Sequence, residues 1–171
     1  LEFRRVLFRS LHHRKPGVVG AALTDERAVC ELICDDVHLH PAAQRLAYIA
    51  KGRNGIILIT DSIRACLTEN GESELGGQKV FVHENRAELA DGTLAGSVLT
   101  MADGVRRFMH NTGASLPEAV AAASLNVAVS LGLDHQLGSL EVGKAADIVL
   151  LDENTLQVKK TIIDGTTVFS A

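Results

Sequence analysis

Tryptophan is absent from the 171 residues, tyrosine occurs once, and aromatics total 4%. Leu, Val, Ile and Ala must therefore fill any core, because the large rings that usually dominate buried area are missing. Cysteine is scarce too: Cys30, Cys34 and Cys66 form an odd set with no paired spacing. That argues against a disulfide framework and for a reducing compartment, with all three thiols as buried spectators. No uninterrupted apolar stretch reaches ~18 residues, so no membrane span is expected. An excess of positive charge is also lacking. With 17 Lys+Arg against 21 Asp+Glu the formal net charge is −4, unlike that of the usual nucleic-acid binder.

What remains is ordinary for a globular chain: 46% apolar residues and 22% charged ones, too hydrophobic for a disordered tail. The length suits one domain, or a domain with a small appendage. The first ten residues stand apart. They begin without Met, carry three arginines, and lack both the apolar core and the small-residue cleavage site of a signal peptide. A short cationic surface helix would fit them. The reading adopted is a foreign or artefactual segment over 1–10, with residue 11 onward lying inside a longer protein.

Two short apolar runs, 29–34 and 55–60, break at their carboxyl ends into Asp35, Asp36 and His38, and into Asp61. Being apolar on both faces, they read as buried strands. Between them, Pro41 opens a helical stretch with Ala43, Leu46, Ala47 and Ala50 on one expected core face. Strand, helix, strand at this spacing predicts a βαβ unit and a parallel sheet. Titratable residues at the carboxyl edge of such a sheet occupy the position where ligands and catalysis usually sit. For Asp35 or Asp36 alone, a plain helix cap explains the residue equally well.

Residues 62–98 read as an excursion from the sheet, with 78–82 as one arm of a hairpin and a glycine-containing loop over 91–97. A helix up to Gly113 follows, with Leu99, Met101, Val105, Phe108 and Met109 as its packing stripe. Ser115 and Glu118 then match a capping box opening a helix over 117–124. After Gly138 the pattern turns to strands: 147–152, then 158–163 and 166–169 around Asp164-Gly165, a strong hairpin signal. This predicts an α/β piece over 11–137 and a small all-β piece over 138–171.

The motifs over 11–17 (LHHRKPG), 35–38 (DDVH), 59–61 (ITD), 91–97 (DGTLAGS) and 138–147 (GSLEVGKAAD) stand in a familiar order. In that order the chain resembles the N-acetylglucosamine-6-phosphate deacetylases of the amidohydrolase superfamily. The last motif is general to the superfamily; the first four together are far more specific. The resemblance covers residues 11–171, about the C-terminal half of such an enzyme, since a complete (β/α)8 barrel alone takes ~250 residues. It implies an α/β fold: the C-terminal part of a TIM-type barrel over 11–137, and strands of a small β-sandwich over 138–171.

The resemblance also implies roles. Asp61 matches the catalytic acid/base, which takes a proton from a metal-bound water and returns it to the leaving amine. Asp35, Asp36, Val37 and His38 match the turn that contacts the sugar phosphate. Arg14 matches an arginine reaching the phosphate from the neighbouring subunit of a homodimer. Leu94, Ala95 and Gly96 match the loop lining the sugar. A divalent metal, zinc or iron, goes with the complete enzyme, as does a cytoplasmic location. No nucleic acid and no membrane partner is implied.

Three departures qualify the match. Lys15 stands where the family usually has an acidic residue, and Asp36 where it usually has glycine. Lys15 would attract a phosphate; Asp36 would repel one if it pointed inward. Counting back without a gap puts Phe3 where the family has a metal-binding histidine, and Val6-Leu7 where it has an Asn-Ala pair; the remaining metal ligands lie farther upstream. The metal ligand set is therefore expected to be missing from this chain. His12 and His13 read as solvated loop residues, and His83, His110 and His135 have no partners at ligand spacing. Two rivals stay open: an amidohydrolase acting on another cyclic amide or a nucleobase, and a non-catalytic chain without a metal site.

Overall fold

A computed structural model describes residues 11–68 and 71–171. The features expected of residues 1–10, Phe3 and Val6-Leu7 included, lie outside the described residues. The two apolar runs form β1 (Cys30–Ile33) and β2 (Ile56–Ile59), which pair in parallel with Ile33 opposite Ile59. Ile56, Ile57 and Leu58 are all buried, as a strand covered on both faces requires. Before β1, helix α1 (Gly17–Thr24) packs on helix α2 (Pro41–Lys51), which makes the crossover.

α2 starts with His40 as its cap, the ring Nδ1 accepting from the Ala42 amide at 3.2 Å, and with Pro41 at its first position. Its buried face meets the expected one only at Ala47, since Ala43, Leu46 and Ala50 are exposed. Gln44 and Ala47 are buried, Tyr48 is half-buried, and Leu46 stays 46% exposed. Ala43 and Leu46 instead border an open apolar groove shared with Val18, Ala22 and Leu23 of α1. The face was set by helix α3 (Met101–Thr112): Phe108 meets Tyr48 edge-on at 5.4 Å, and Asn111 donates to Gln44 Oε1 at 3.0 Å.

Gly113 ends α3 in a left-handed turn at φ +80°. The capping box forms, the Glu118 carboxylate accepting from the Ser115 amide at 2.9 Å. It opens α4 (Leu116–Ala123), and α5 (Leu125–Leu131), absent from the sequence reading, follows at once. Asn126 ties α5 to the start of β2, donating to the carbonyls of Ile56 at 2.8 Å and Arg53 at 2.7 Å. Leu32, Cys34, Ile56, Leu58, Phe108 and Ala119 share the core that these elements enclose.

The excursion is a three-stranded antiparallel sheet, β3 (Gly71–Leu75), β4 (Gln78–His83) and β5 (Arg86–Leu89), where only one arm was expected. A third sheet is the expected tail: β6 (Ile148–Leu151), β7 (Val158–Ile163) and β8 (Thr166–Ser170), all antiparallel. Among the described residues no helix is long and apolar enough to cross a membrane.

Candidate active site

Parallel pairing puts the segments leaving β1 and β2 on one edge, because Ile33 and Ile59 stand side by side. Asp35 and His38 follow the first strand and Asp61 the second. The expectation of a common edge is met.

Asp35 is 2% exposed, and its carboxylate is spent inside the turn. Oδ1 accepts from the Val37 amide at 2.9 Å and the His38 amide at 2.8 Å; Oδ2 lies 2.7 Å from His38 Nδ1. A carboxylate can only accept, so Nδ1 carries the proton and any ligand contact by the ring falls to Nε2. Asp35 is thus the residue that orients His38, and Val37 is half-buried beside it. The Asn85 side chain, from the turn between β4 and β5, donates through Nδ2 to the Asp35 backbone carbonyl at 3.3 Å.

Asp36 turns the other way. It occupies the left-handed region at φ +66°, where glycine is at ease and Asp is tolerated. Its carboxylate accepts from Arg107 at 2.7 Å, Asn111 at 2.7 Å and Gln44 at 2.9 Å. Burial alone would raise this carboxyl, but the bonds from Arg107, Gln44 and Asn111 outweigh it and hold it below the usual carboxylate range. The side chain expected on the substrate therefore faces α2 and α3. Beneath it, the Cys34 thiol is pushed up to about 12, by burial first and then by the charges of Asp36 and Asp35, and it is no nucleophile.

Asp61 is exposed, with its backbone left-handed at φ +48°. Ser97, 1% exposed, fastens it. The Ser97 amide donates to the Asp61 carbonyl at 3.0 Å, its hydroxyl donates to the Thr60 carbonyl, and its own carbonyl accepts from Ile63 at 3.0 Å. Gly96, at φ +84°, makes the close approach possible: a Cβ there would lie 2.7 Å from Ile63 Cγ2 and 3.2 Å from the Asp61 carbonyl oxygen. The 91–97 loop is well tied, with the Ala95 amide donating to Ala87 at 2.9 Å. Leu94 is half-buried, while the Ala95 methyl sits in the core of the second sheet beside Val80, Val82 and Ala87. Ala95 can therefore meet a ligand only through its backbone.

Arg14 is not brought to this edge by any contact. It lies in an exposed turn, its Nε donating to His13 Nε2 at 3.0 Å, with the His12 and His13 rings tilted against each other at 4.4 Å. Residues that the sequence reading passed over are Ser97, Asn85, Gln44, Asn111 and Arg107. Ser97, Asn85, Asn111 and Arg107 act on partners far away in sequence, 71 residues for Arg107 and Asp36, and Gln44 donates to Asp36 eight residues before it, outside its own helix, so no helix or strand pattern marks them. A polar cavity of about 160 Å³ beside Asp35 and Arg107 lies within this assembly. An apolar groove of about 370 Å³ between α3, α4 and the third sheet holds no titratable group, and so no chemistry. Among the described residues no three His, Cys, Asp or Glu side chains gather where they could hold one ion, so these residues alone do not fit a metal centre.

Fold and site together define an α/β protein whose polar residues gather at the carboxyl edge of a parallel strand pair. Residues 21–168 match the model of the amidohydrolase family, and the chain belongs to that family. It is 45% identical over 92% of its length to the N-acetylglucosamine-6-phosphate deacetylase of Bacillus subtilis, of which it covers 40%. It is 44% identical over 91% of its length to an N-acetylgalactosamine-6-phosphate deacetylase of Escherichia coli, of which it covers 41%. The crystal structure of the Thermotoga maritima N-acetylglucosamine-6-phosphate deacetylase superposes with a TM-score of 0.88 at 44% identity, over 95% of this chain and 44% of that one. The chain thus spans about 40% of the length of these curated relatives.

Proposed function

We propose that this chain supplies the acid/base carboxylate and the phosphate-binding turn of a hydrolase that converts N-acetylglucosamine 6-phosphate and water to glucosamine 6-phosphate and acetate. Asp61 accepts a proton from the attacking water as its oxygen bonds to the acetyl carbon. The resulting acid then protonates the sugar nitrogen as the carbon–nitrogen bond breaks. His38, aligned by Asp35, offers Nε2 to the phosphate, and Arg14 reaches the phosphate of a second copy in a homodimer. Leu94, the Ala95 backbone and Gly96 line the sugar. A divalent ion, zinc or iron, would supply an electrophile for this chemistry, and among the described residues no ligand set gathers to hold it.

In this reading residues 11–137 are the C-terminal part of a (β/α)8 barrel, residues 138–171 are strands of a small β-sandwich, and the enzyme is cytoplasmic. The observation that carries it is the placement of His38 and Asp61 on one edge, each fixed by a buried neighbour, Asp35 and Ser97. The names of the relatives support the substrate class and divide on the configuration of the sugar.

The test joins this chain to the upstream half of the Thermotoga maritima relative and assays acetate release from N-acetylglucosamine 6-phosphate, its galactose epimer and unphosphorylated N-acetylglucosamine. His38→Ala should raise KM for the phosphorylated sugars about 10–100-fold, as loss of a hydrogen bond to a charged group predicts, with kcat changed much less. Equal KM in parent and variant would refute the phosphate role.

A further inference from the structure

Asp36 places a carboxylate two residues before His38, in the turn read above as the phosphate contact. Unrestrained, it would set a negative charge beside a dianionic ligand. It is restrained: Arg107 from α3 lies 2.7 Å from Oδ2, and Gln44 and Asn111 hold Oδ1. Asp35 and Asp36 thereby point to opposite sides of the turn, the first toward His38 and the second into the helices.

We propose that Arg107 is a positioning residue for phosphate binding, which keeps the Asp36 carboxylate turned onto α2 and α3 and neutralised there, away from the turn that carries His38. This rests on the reading of His38 as a phosphate contact. Arg107 donates to Asp36 across 71 residues of sequence, and both side chains are partly exposed, 37% and 28%. Solvent therefore gives Asp36 an alternative once Arg107 is gone. The requirement for Arg107 exists only while residue 36 is acidic. Glycine at this position takes φ +66° without strain and brings no charge, so it needs no such partner.

The experiment titrates the 171-residue chain with glucosamine 6-phosphate, reading the His38 ring signals by NMR, with the Leu58 and Phe108 amides as monitors of an intact core. Arg107→Ala should weaken binding about tenfold at low salt, a defect that shrinks as salt screens the charge. Arg107→Lys should recover part of the loss. Asp36→Gly/Arg107→Ala should bind within about twofold of Asp36→Gly alone, the non-additivity expected of a contacting pair. Arg107→Gln, which keeps the aliphatic stem, serves if truncation disturbs the Phe108 amide. A His38 shift in the parent that Arg107→Ala and Arg107→Gln leave unchanged overturns the proposal alone. So does a double variant as weak as Arg107→Ala. Absence of any His38 shift in every protein removes the phosphate reading and the proposal together.

Discussion

Gly96→Ala probes the contact that seats the 91–97 loop on the strand end bearing Asp61. Two separate costs can be read from the structure. Residue 96 sits at φ +84°, and an L-residue in the left-handed region costs ~1–2 kcal/mol. The new methyl would also lie 2.7 Å from Ile63 Cγ2 and 3.2 Å from the Asp61 carbonyl oxygen. Neither neighbour yields easily: Ile63 is β-branched and stiff at χ1, and the Asp61 carbonyl is held by the Ser97 amide at 3.0 Å. Overpacking of this kind costs a further ~1–3 kcal/mol, for a sum of about 2–5 kcal/mol. Urea unfolding reads it as a midpoint lowered by about 1–2 M at an unchanged slope. Gly92 is the control, at φ +80° with no atom within 4 Å of its Cβ position, so Gly92→Ala should pay the backbone cost alone. If Gly96→Ala is no less stable than Gly92→Ala, the close approach of loop and strand is not what the structure describes.

Other consequences follow from buried or charged contacts. Asn126→Ala should cost about 2–3 kcal/mol, read by the same unfolding, because it strands the buried Ile56 carbonyl that Asn126 satisfies at 2.8 Å. Asp36 has a depressed pKa when folded, so its stabilisation is complete above the usual carboxylate range and is lost as pH falls through the folded value. Between about pH 5 and 2 the parent should therefore lose more stability than Asp36→Asn, and parallel urea midpoints for the two would contradict this.

The parts of the fold that were legible in the sequence are those with local causes. β2 is an unbroken apolar run and β1 one interrupted only by the exposed Glu31, Pro41 and Gly52 bracket α2, the capping box opens α4, and Asp164-Gly165 turns the last hairpin. The parts that were missed depend on partners outside their own helix or strand. Gln44 looks like a surface residue, and is buried because Asp36, Leu39 and Asn111 satisfy its amide. β3 carries GESEL, without apolar alternation, and β5 carries RAEL, which alternates over only four residues. β4 lies between them and pairs with both, and its Val80 and Val82 share a core with Ala87 and Leu89 of β5. At the site, Asp35, His38 and Asp61 were visible as polar residues ending apolar runs, whereas Ser97 became visible only when the chain folded it onto Thr60 and Asp61.

The assignment of Asp61 as the group that moves the proton is tested most directly by Asp61→Asn in the hybrid with the Thermotoga maritima upstream half, measuring acetate release from N-acetylglucosamine 6-phosphate. Asn keeps the shape of the side chain and, with His38 untouched, the phosphate contact. Loss of a positioned acid/base costs ~10²–10⁴-fold, and one carboxylate here serves both proton transfers, so kcat should fall toward the upper end. KM should stay within about threefold, since the interaction removed acts in the transition state. A role as a simple helix cap predicts instead a stability loss of ~1 kcal/mol with turnover intact, and an Asp61→Asn enzyme of near-normal kcat would contradict the catalytic assignment.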